Sequence, residues 1–480
     1  MLHRFPELIK HRVFGLASFT VCGLLVFSFL FPDSRSASAL PLPGPKIHAI
    51  PAFARKYGMP CSACHEAWPK LNNFGQVFKD NGYQMGNDRD APIFQQPAYW
   101  PISFRMTPHW HRESVDHADA TSQATGVPVE GRITTHGFDL SGMDILTAGT
   151  LAKNISFLLV PSAGNDGAFG FESANVRFSN LLKSSWLNVK VGKFELDNLI
   201  SEKRIMTLSN NGFYQIYHFQ PVTEFTNPGT VVPFTFGMGD NQIGAELSGH
   251  SKNSYTRYSV SLLSGNDGSV GVPNGHGYDT YLTFSQAFEA GGLGLQRVGA
   301  FAYIGRAPTY SVTSSFLADG SGQKSFYRAG FFGLWNLKKL DFMTMYTRGG
   351  DNVFLGTGTP AFSPLPTGAQ GPTWNAGFIE THYTVNPQFI LVNRYEAIRM
   401  SRQALPITPG VFEPVVSVHS ANFGDVDALV FGYRYYPFMS SRAGFAFHNE
   451  YSIVRQRGVA PLSGKDLTNN SLFLGFDFIF

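Results

Sequence analysis

The chain contains few cysteines and few charged residues, and both shortages narrow what it can be. Only 3 of its 480 residues are cysteine and 15% are charged, whereas soluble domains average about 25% charged residues. The net charge of +3 is too small to indicate a nucleic-acid partner. Beyond residue 31, no apolar run approaches the ~20 residues that a membrane-spanning helix needs, and the mean hydropathy is -0.08. A helical membrane protein is therefore excluded.

Glycine and aromatic residues, by contrast, are plentiful. The chain has 50 glycines, and 14% of its residues are aromatic. Together with the low charge and the lack of a second apolar run, this composition is typical of an outer-membrane β-barrel. A soluble β-sandwich or β-propeller is the alternative that composition leaves open.

The first 39 residues have the features of a secretory signal. A basic region at residues 3–12 precedes the apolar run Val13 to Phe31, and Ala37-Ser38-Ala39 supplies the small residues of a cleavage site. We therefore predict a signal peptide over residues 1–39. The apolar run is longer than the ~7–15 residues of most signal cores, so an uncleaved inner-membrane anchor is the alternative.

From Trp100 to Phe480, apolar and polar positions alternate in repeated segments. In residues 187–191, leucine and valine alternate with Asn188 and Lys190, and residues 258–262 have the same period. A two-residue period gives each strand an apolar face toward lipid and a polar face toward a wet lumen, where we expect Lys190. The pattern predicts an all-β fold, a transmembrane antiparallel β-barrel of about sixteen strands, with eighteen as the alternative count.

The last segment carries this pattern most clearly. Leu472, Leu474, Phe476, Phe478 and Phe480 share one face, and the chain stops at that phenylalanine. A terminal aromatic residue on an alternating strand resembles the signal by which outer-membrane barrels are recognised for insertion. On the exposed edge of a soluble sheet, five large apolar residues would instead promote aggregation.

Three polar stretches are expected to be external loops, namely residues 111–132, 352–373 and 401–424. The short break Leu337-Lys338-Lys339 is expected to be a periplasmic turn. Both expectations follow from the short periplasmic turns and longer external loops of outer-membrane barrels.

One short motif carries the chemistry. Cys61-Ser62-Ala63-Cys64-His65 has the spacing at which two thiols bond to one porphyrin and the following histidine ligates its iron. A redox disulfide or half of a zinc site would also use two cysteines. Neither requires the adjoining histidine, and a structural zinc site needs about four ligands, whereas the chain has no second cysteine pair. We predict one covalently attached haem c with His65 as its proximal ligand.

Residues 40–99 are predicted to be a small α-helical cytochrome c segment. A helical turn at residues 51–58 ends at Gly58, and a second helix with apolar residues at positions 71, 74, 77 and 78 ends near Gly82. So short a segment buries too little surface to be stable alone, so the haem is expected to serve as its core. Both ends of an even-stranded barrel lie in the periplasm, and the segment can therefore enter the lumen as a plug.

The second axial ligand of the iron is predicted to be Met85. This residue follows the second helix and would give the His/Met pair that raises the reduction potential of cytochromes c. Met59 is too close to Cys61 to reach the opposite face of the haem. Three histidines are the alternatives: His48, His109 and His111.

The two parts of the chain together resemble a known family. The motif-specific part of the resemblance consists of Ile50-Pro51-Ala52-Phe53-Ala54-Arg55, Cys61 to His65, Pro69, Leu71, Phe74-Gly75, Phe78 and Gly82-Tyr83. With a barrel that ends in phenylalanine, the chain is similar to the fused outer-membrane cytochrome-porins of iron-oxidising bacteria. The cysteines and histidine of the motif carry over directly, whereas no iron-binding motif of the barrel can be matched.

The resemblance implies an outer-membrane oxidoreductase of the Fe(II):cytochrome c type, with its haem in or at the mouth of the barrel. Electrons from extracellular ferrous iron would pass through one haem to a periplasmic carrier, either a cytochrome c or a copper protein. Two alternatives stay open. One is a conduit that runs outward or serves another donor, and the other is a solute porin whose haem is structural or sensory.

Overall fold

The structure is a computed structural model. It describes residues 52–95, 101–121, 126, 128–163, 169–201, 203–206, 212–219, 224–227, 230–233, 237–238, 241–265, 268, 278–308, 323–350, 373–400, 425–439, 444–457, 463 and 465–479. The predicted signal peptide, His48, Phe480, the predicted loop at 401–424 and all of the predicted loop at 352–373 except Thr373 lie outside these residues.

Sixteen antiparallel strands close into a barrel, which confirms the predicted fold class and strand count. These strands are β3 (Ile102–Thr121), β4 (Pro128–Ala152), β5 (Ile155–Ala163), β6 (Phe169–Phe178), β7 (Asn188–Glu195), β10 (Asn241–His250), β11 (Thr256–Leu263), β12 (Asp279–Glu289), β13 (Leu295–Pro308), β14 (Gln323–Leu337), β15 (Leu340–Gly350), β16 (Thr373–Asn386), β17 (Phe389–Met400), β18 (Val426–Met439), β19 (Gly444–Gln456) and β20 (Leu467–Ile479). The last strand, β20, pairs with the first, β3, so the wall has no open edge.

The outward face of the wall is apolar. In β12, Leu282 and Phe284 are exposed, while Tyr281 and Thr283, which alternate with them, are buried. Lys190 points inward as predicted, because its Nζ lies 2.8 Å from Glu246 Oε1. An apolar outer band on a closed wall suits a bilayer, since the backbone polar groups are paired within the wall. The chain therefore folds as a porin-like barrel of the outer-membrane type.

The two ends of the barrel differ in the length of their connections. At one end, residues 153–154, 338–339 and 387–388 form tight turns, which confirms the predicted turn at Lys338-Lys339. At the other end, residues 351–372 and 401–425 connect neighbouring strands. Outer-membrane barrels place short turns in the periplasm and long loops outside.

The polar stretch at residues 111–132 was predicted to be a loop, and that prediction is wrong. Strand β3 continues to Thr121 and β4 begins at Pro128, so most of the stretch is a hairpin. Its strands are joined by charge pairs; in one of them Nδ1 of His117 lies 2.6 Å from Glu130 Oε1. The polar composition of the stretch suggested a loop, but paired strands outside the bilayer need no apolar face.

Residues 52–95, here called the plug, precede the barrel. Its elements are helix α1 (Ala52–Tyr57), a 3₁₀ turn (Cys61–Ala63), the two-stranded ladder of β1 (His65–Ala67) and β2 (Lys70–Leu71), helix α2 (Asn73–Asp80), and 3₁₀ turns at Asp88–Asp90 and Ile93–Gln95. Both predicted helices are present, and Gly58 ends the first with a φ of +69° that favours glycine. Helix α2 begins after Leu71, which lies in β2 instead. No helix among the described residues is long and apolar enough to cross a membrane.

Residues 196–240, here called the inner loop, connect β7 to β10. They contain helix α3 (Gln215–His218) and a hairpin of β8 (Glu224–Asn227) and β9 (Thr230–Pro233). Tyr214 and Ile216 of the inner loop pack in one apolar core with inward-facing residues of the wall, including Tyr281 and Trp374. At this level the lumen is therefore filled with apolar side chains, whereas the alternating pattern predicted a wet, polar lumen.

The outward band yields a prediction about Phe284, which lies in the middle of β12 and is 52% exposed. Phe284→Arg is expected to lower the free energy of unfolding by about 2–4 kcal/mol, because a cation at bilayer mid-depth is poorly solvated. Tyr278→Arg, just outside the same strand, is the control and is expected to cost only about 0–1 kcal/mol. Urea titration in lipid vesicles measures both, and equal costs would show that Phe284 does not face lipid.

Candidate functional site

The cysteine motif lies in the plug between helices α1 and α2. Neither Cys61 nor Cys64 is in a disulfide, and both are partly exposed. The ring Nδ1 of His65 lies 3.0 Å from the carbonyl oxygen of Pro69. Because a carbonyl only accepts, Nδ1 carries the proton and Nε2 carries the lone pair. A backbone carbonyl on the second ring nitrogen is a usual partner of a metal-ligating histidine.

The N-terminus of helix α2 supports the motif. The amide of Asn72 donates to the carbonyl of Cys64 at 2.9 Å, and its side-chain Nδ2 donates to the carbonyl of Ala63 at 3.0 Å. Its Oδ1 accepts from the amide of Gly75, which caps the helix. A Cβ on Gly75 would lie 2.2 Å from the carbonyl oxygen of Cys64. Only glycine therefore lets the helix approach the motif this closely.

The surroundings of the two thiols disfavour the thiolate form that a reactive redox pair requires. Burial raises the pKa of Cys61, and burial together with the neighbouring Cys61 raises the pKa of Cys64 to about 11. Reactive dithiols instead have lowered pKa values. Among the described residues, no three His, Cys, Asp or Glu side chains converge as a zinc site would require. The residues present thus fit the predicted haem c better than either alternative.

Aromatic side chains pack against one another within the plug. The rings of Phe53 and Tyr83 stack with centroids 4.9 Å apart, and Phe53 meets Phe78 edge-on at 5.1 Å. Phe74, on helix α2, is 40% exposed and precedes Gly75, whose Cα lies close to the carbonyl of Cys64. An exposed phenylalanine in this segment offers an apolar surface to a flat porphyrin.

Met85 and two of the alternative ligands occupy different parts of the structure. Met85 lies beyond the C-terminus of α2, where its amide donates to Asp90 Oδ1 at 3.0 Å. His109 and His111 lie on β3 with ring centroids 6.2 Å apart, and His109 stacks on Phe473. The ligation of haem iron by Met85 stays a prediction.

The plug is docked to the wall and the inner loop on several sides. Nε of Arg257 on β11 lies 2.8 Å from Asp80 Oδ2, and Thr150 Oγ1 on β4 donates to the carbonyl of Asp90 at 2.9 Å. On the inner loop, Nζ of Lys203 donates to the carbonyl of Leu71 at 2.9 Å.

Further contacts lie at residues 68–70, just after the motif. Nζ of Lys70 lies 2.7 Å from Asp341 Oδ1 on β15. The carbonyl of Trp68 accepts from Arg434 and Tyr436 on β18. Since Asp341 and Tyr436 lie close to short turns, the plug sits in the lumen at the short-turn end.

The docking contacts include two strongly perturbed charges. Burial raises the pKa of Asp80, but attraction by Arg257 and its basic neighbours outweighs this effect and lowers it to about 2. Burial lowers the pKa of Lys203 to about 7. The plug is thus held by an ionised carboxylate and lies beside an amine that titrates near neutral pH.

These docking pairs could not be predicted from the sequence. Asp80 and Arg257 are far apart in the chain, as are Lys70 and Asp341. Strand alternation identifies Arg257 as facing the lumen but does not identify its partner, which depends on how the plug is seated.

No family model and no curated protein matches the chain. Among solved structures, it is similar to the outer membrane channel DcaP of Acinetobacter baumannii, with 11% identity over 79% of this chain and 97% of that chain and a TM-score of 0.44. It is also similar to OprB of Pseudomonas putida, with 8% identity over 84% of this chain and 100% of that chain and a TM-score of 0.44. Both similarities are weak, so we assign the fold from the strand pairing alone.

The ion pair of Asp80 predicts a dependence on pH. Its pKa of about 2 in the folded state lies below the ordinary value of 3.8, so its stabilisation is complete above about pH 4 and is lost as the pH falls toward 2. At pH 7, Asp80→Asn is expected to lower the free energy of unfolding by about 2 kcal/mol.

Urea titration at pH 7 and at acid pH measures this effect. The difference between wild type and Asp80→Asn should shrink in acid, and Asp88→Asn, at an exposed position of the plug, is the control. If both substitutions have the same effect at pH 7, Asp80 does not anchor the plug.

Proposed function

We propose that the protein is an outer-membrane cytochrome-porin with one haem c, which oxidises extracellular ferrous iron and passes the electrons to a periplasmic carrier. The observation that supports this most directly is the hydrogen bond of His65 in the Cys61 to His65 motif. Nδ1 of His65 lies 3.0 Å from the carbonyl oxygen of Pro69, and a backbone carbonyl on one ring nitrogen is a usual partner of a metal-ligating histidine.

Each residue of the motif has a role in this proposal. Cys61 and Cys64 would hold the haem through two thioether bonds, and Nε2 of His65 would ligate the iron on one face. Met85 would ligate the other face. When bound, the haem supplies one-electron chemistry, while the protein sets its position and surroundings.

The filled lumen favours electron transfer over solute transport. The plug occupies the short-turn end, and the inner loop forms an apolar core with the wall beyond it. Large buried side chains such as Tyr217 and Trp374 are 1% and 0% exposed. Electrons cross packed protein, whereas a hydrated solute needs open space, so the same filling opposes the solute-porin alternative.

The location of the plug also favours the proposed direction. Short turns mark the periplasmic end of outer-membrane barrels, so the motif would lie near a periplasmic acceptor. Ferric iron precipitates near neutral pH, and oxidation at the outer surface leaves that product outside the cell. Only the electron then has to cross the membrane.

Ferrous iron is expected to reduce the haem of the purified protein. Anaerobic stopped-flow mixing with ferrous iron should convert the ferric haem spectrum to the ferrous one. Cys64→Ala should lose one thioether bond, and Cys61→Ala with Cys64→Ala should lose the covalent haem while the heat-dependent gel shift of the barrel persists. A covalent haem that ferrous iron leaves oxidised would contradict the iron-oxidase function and favour another donor or direction.

Met85→Ala is expected to change the haem absorption spectrum and to lower its reduction potential, because a thioether ligand raises that potential. Met59→Ala is the matched control, since Met59 is too near Cys61 to reach the opposite face of the haem. Absorption spectroscopy and redox titration measure both variants. An unchanged spectrum in Met85→Ala would direct the search to His48, His109 and His111.

A further inference from the structure

A chain of buried hydrogen bonds leads from the plug into the wall. Nζ of Lys70 lies 2.7 Å from Asp341 Oδ1, and the same oxygen lies 2.8 Å from Nδ1 of His382 on β16. The other ring nitrogen of His382, Nε2, lies 2.6 Å from Glu380 Oε1. His382 is 1% exposed and Glu380 is 0% exposed. The plug is thus connected to a histidine that bulk water does not reach.

The geometry around His382 determines how many protons it requires. A neutral imidazole has one N–H and can donate to only one of the two carboxylates, Asp341 or Glu380. Its other nitrogen would then direct a lone pair at a carboxylate oxygen. Both short contacts are satisfied only when the His382–Glu380 pair holds one further proton. The pair is therefore a proton-binding site.

Other charged and titratable groups face the pair from neighbouring elements. On β17, Nη1 of Arg394 lies 3.1 Å from Glu380 Oε2, and its Nε lies 2.8 Å from Glu396 Oε1. From the inner loop, the hydroxyl of Tyr214 donates to Glu380 Oε2 at 2.7 Å. These donors occupy one oxygen of Glu380 and leave the other for His382.

The two ends of this chain differ in their access to water. Asp341 lines a cavity of about 450 Å³ at the short-turn end, together with Glu66, Lys203 and the turn Lys338-Lys339. At the other end, Tyr214 belongs to the apolar core. A path that water reaches at one end only takes up and releases protons on one side of the membrane. Such a path does not conduct protons across the membrane.

A second buried histidine provides a contrast. Nδ1 of His448 lies 3.0 Å from Nη2 of Arg434 and 3.5 Å from Asp477 Oδ2, and Nε2 lies 3.3 Å from Glu450 Oε2. Arg434 donates to Nδ1 and its Nη1 lies 2.7 Å from Asp477 Oδ2, so the arginine bridges the two groups and one proton, on Nε2, is enough for His448. His448 is 0% exposed, and Arg434 also donates to the carbonyl of Trp68 in the plug. His448 is thus as buried as His382 and is also connected to the plug, but an arginine lies between its Nδ1 and the nearer carboxylate on that side, whereas both nitrogens of His382 face carboxylates directly.

The chain begins next to the proposed proximal ligand. The carbonyl that accepts from His65 belongs to Pro69, and its peptide unit continues into the amide of Lys70. The side chain of Lys70 then reaches Asp341. Lys70 and His382 are buried, so water screens a change of charge near His65 less along this chain than it would at the surface.

We propose that the His382–Glu380 pair binds a proton when the haem is reduced and releases it when the haem is reoxidised; the inference rests on the proposed function. One ferrous ion loses one electron, the ferric haem iron gains it and becomes ferrous, and one proton moves from cavity water through Asp341 to the pair. Transfer of the electron to the periplasmic carrier returns the proton to the same water. The coupling is reciprocal: the free energy by which reduction of the haem favours proton binding equals the free energy by which proton binding favours reduction. Proton binding therefore raises the reduction potential.

Redox titration of the intact, haem-loaded protein between about pH 5 and pH 9 tests this coupling. The wild-type potential is expected to fall with rising pH, by up to about 59 mV per pH unit if one proton accompanies each electron. His382→Asn and Glu380→Gln, each of which removes one of the short contacts, should lose most of that slope. His448→Asn, the matched control, should keep it.

Several outcomes would overturn the inference. A wild-type potential that is constant over this range does so even if no variant folds. An equal loss of the pH dependence in His448→Asn would overturn it as well. So would a pH dependence that Lys203→Met abolishes and the other substitutions do not, because the proton would then lie on the amine of Lys203. If the wild-type protein carries no covalent haem, both the proposed function and this inference are refuted. The absorption spectrum shows whether the haem is present.

Discussion

The plug is too small to bury a core of its own, and the barrel supplies the contacts that it lacks. Forty-odd residues with two short helices leave most of their apolar surface near solvent when they stand alone. Here their polar groups are paired with the wall instead, as in the contact of Asp80 with Arg257 and that of Lys70 with Asp341. A buried charge without its partner is costly, so these pairs define how the plug is seated.

This seating explains why the lumen differs from that of an open pore. A sixteen-stranded wall is wide enough to leave a water-filled channel. In this chain the plug is docked at the short-turn end, and the inner loop covers inward-facing aromatic residues such as Tyr281 and Trp374. The described part of the lumen thus contains a packed apolar core, which is the basis of the proposed electron transfer. Buried ionisable groups can then respond to the charge of a redox centre, as proposed for His382.

The sequence predicted the elements of the fold better than their arrangement. Strand alternation is a local pattern, so the barrel, its strand count and the inward side chain of Lys190 were all predictable. The hairpin at residues 111–132 was missed because its strands extend beyond the bilayer and lose their apolar face. The apolar core of the lumen was missed because it depends on the inner loop folding back, a long-range event without a local pattern.

In the candidate site, too, local features were predictable from the sequence and long-range contacts were not. Cys61, Cys64 and His65 lie within five consecutive residues, so their spacing alone is enough to predict a haem. Asn72 has a recognisable capping role, but its contacts with the motif depend on tertiary structure. The partners Arg257 and Asp341 were unpredictable, since each lies far along the chain from the plug residue that it binds.

Electron transfer through a sealed barrel is tested most directly in lipid vesicles that contain the haem-loaded protein. Ferrous iron is added outside, with ferricyanide and a small fluorescent dye trapped inside. We predict that the trapped ferricyanide is reduced while the dye is retained. Retention of oxidised ferricyanide by vesicles with intact haem, or reduction only when the dye escapes, would contradict the account.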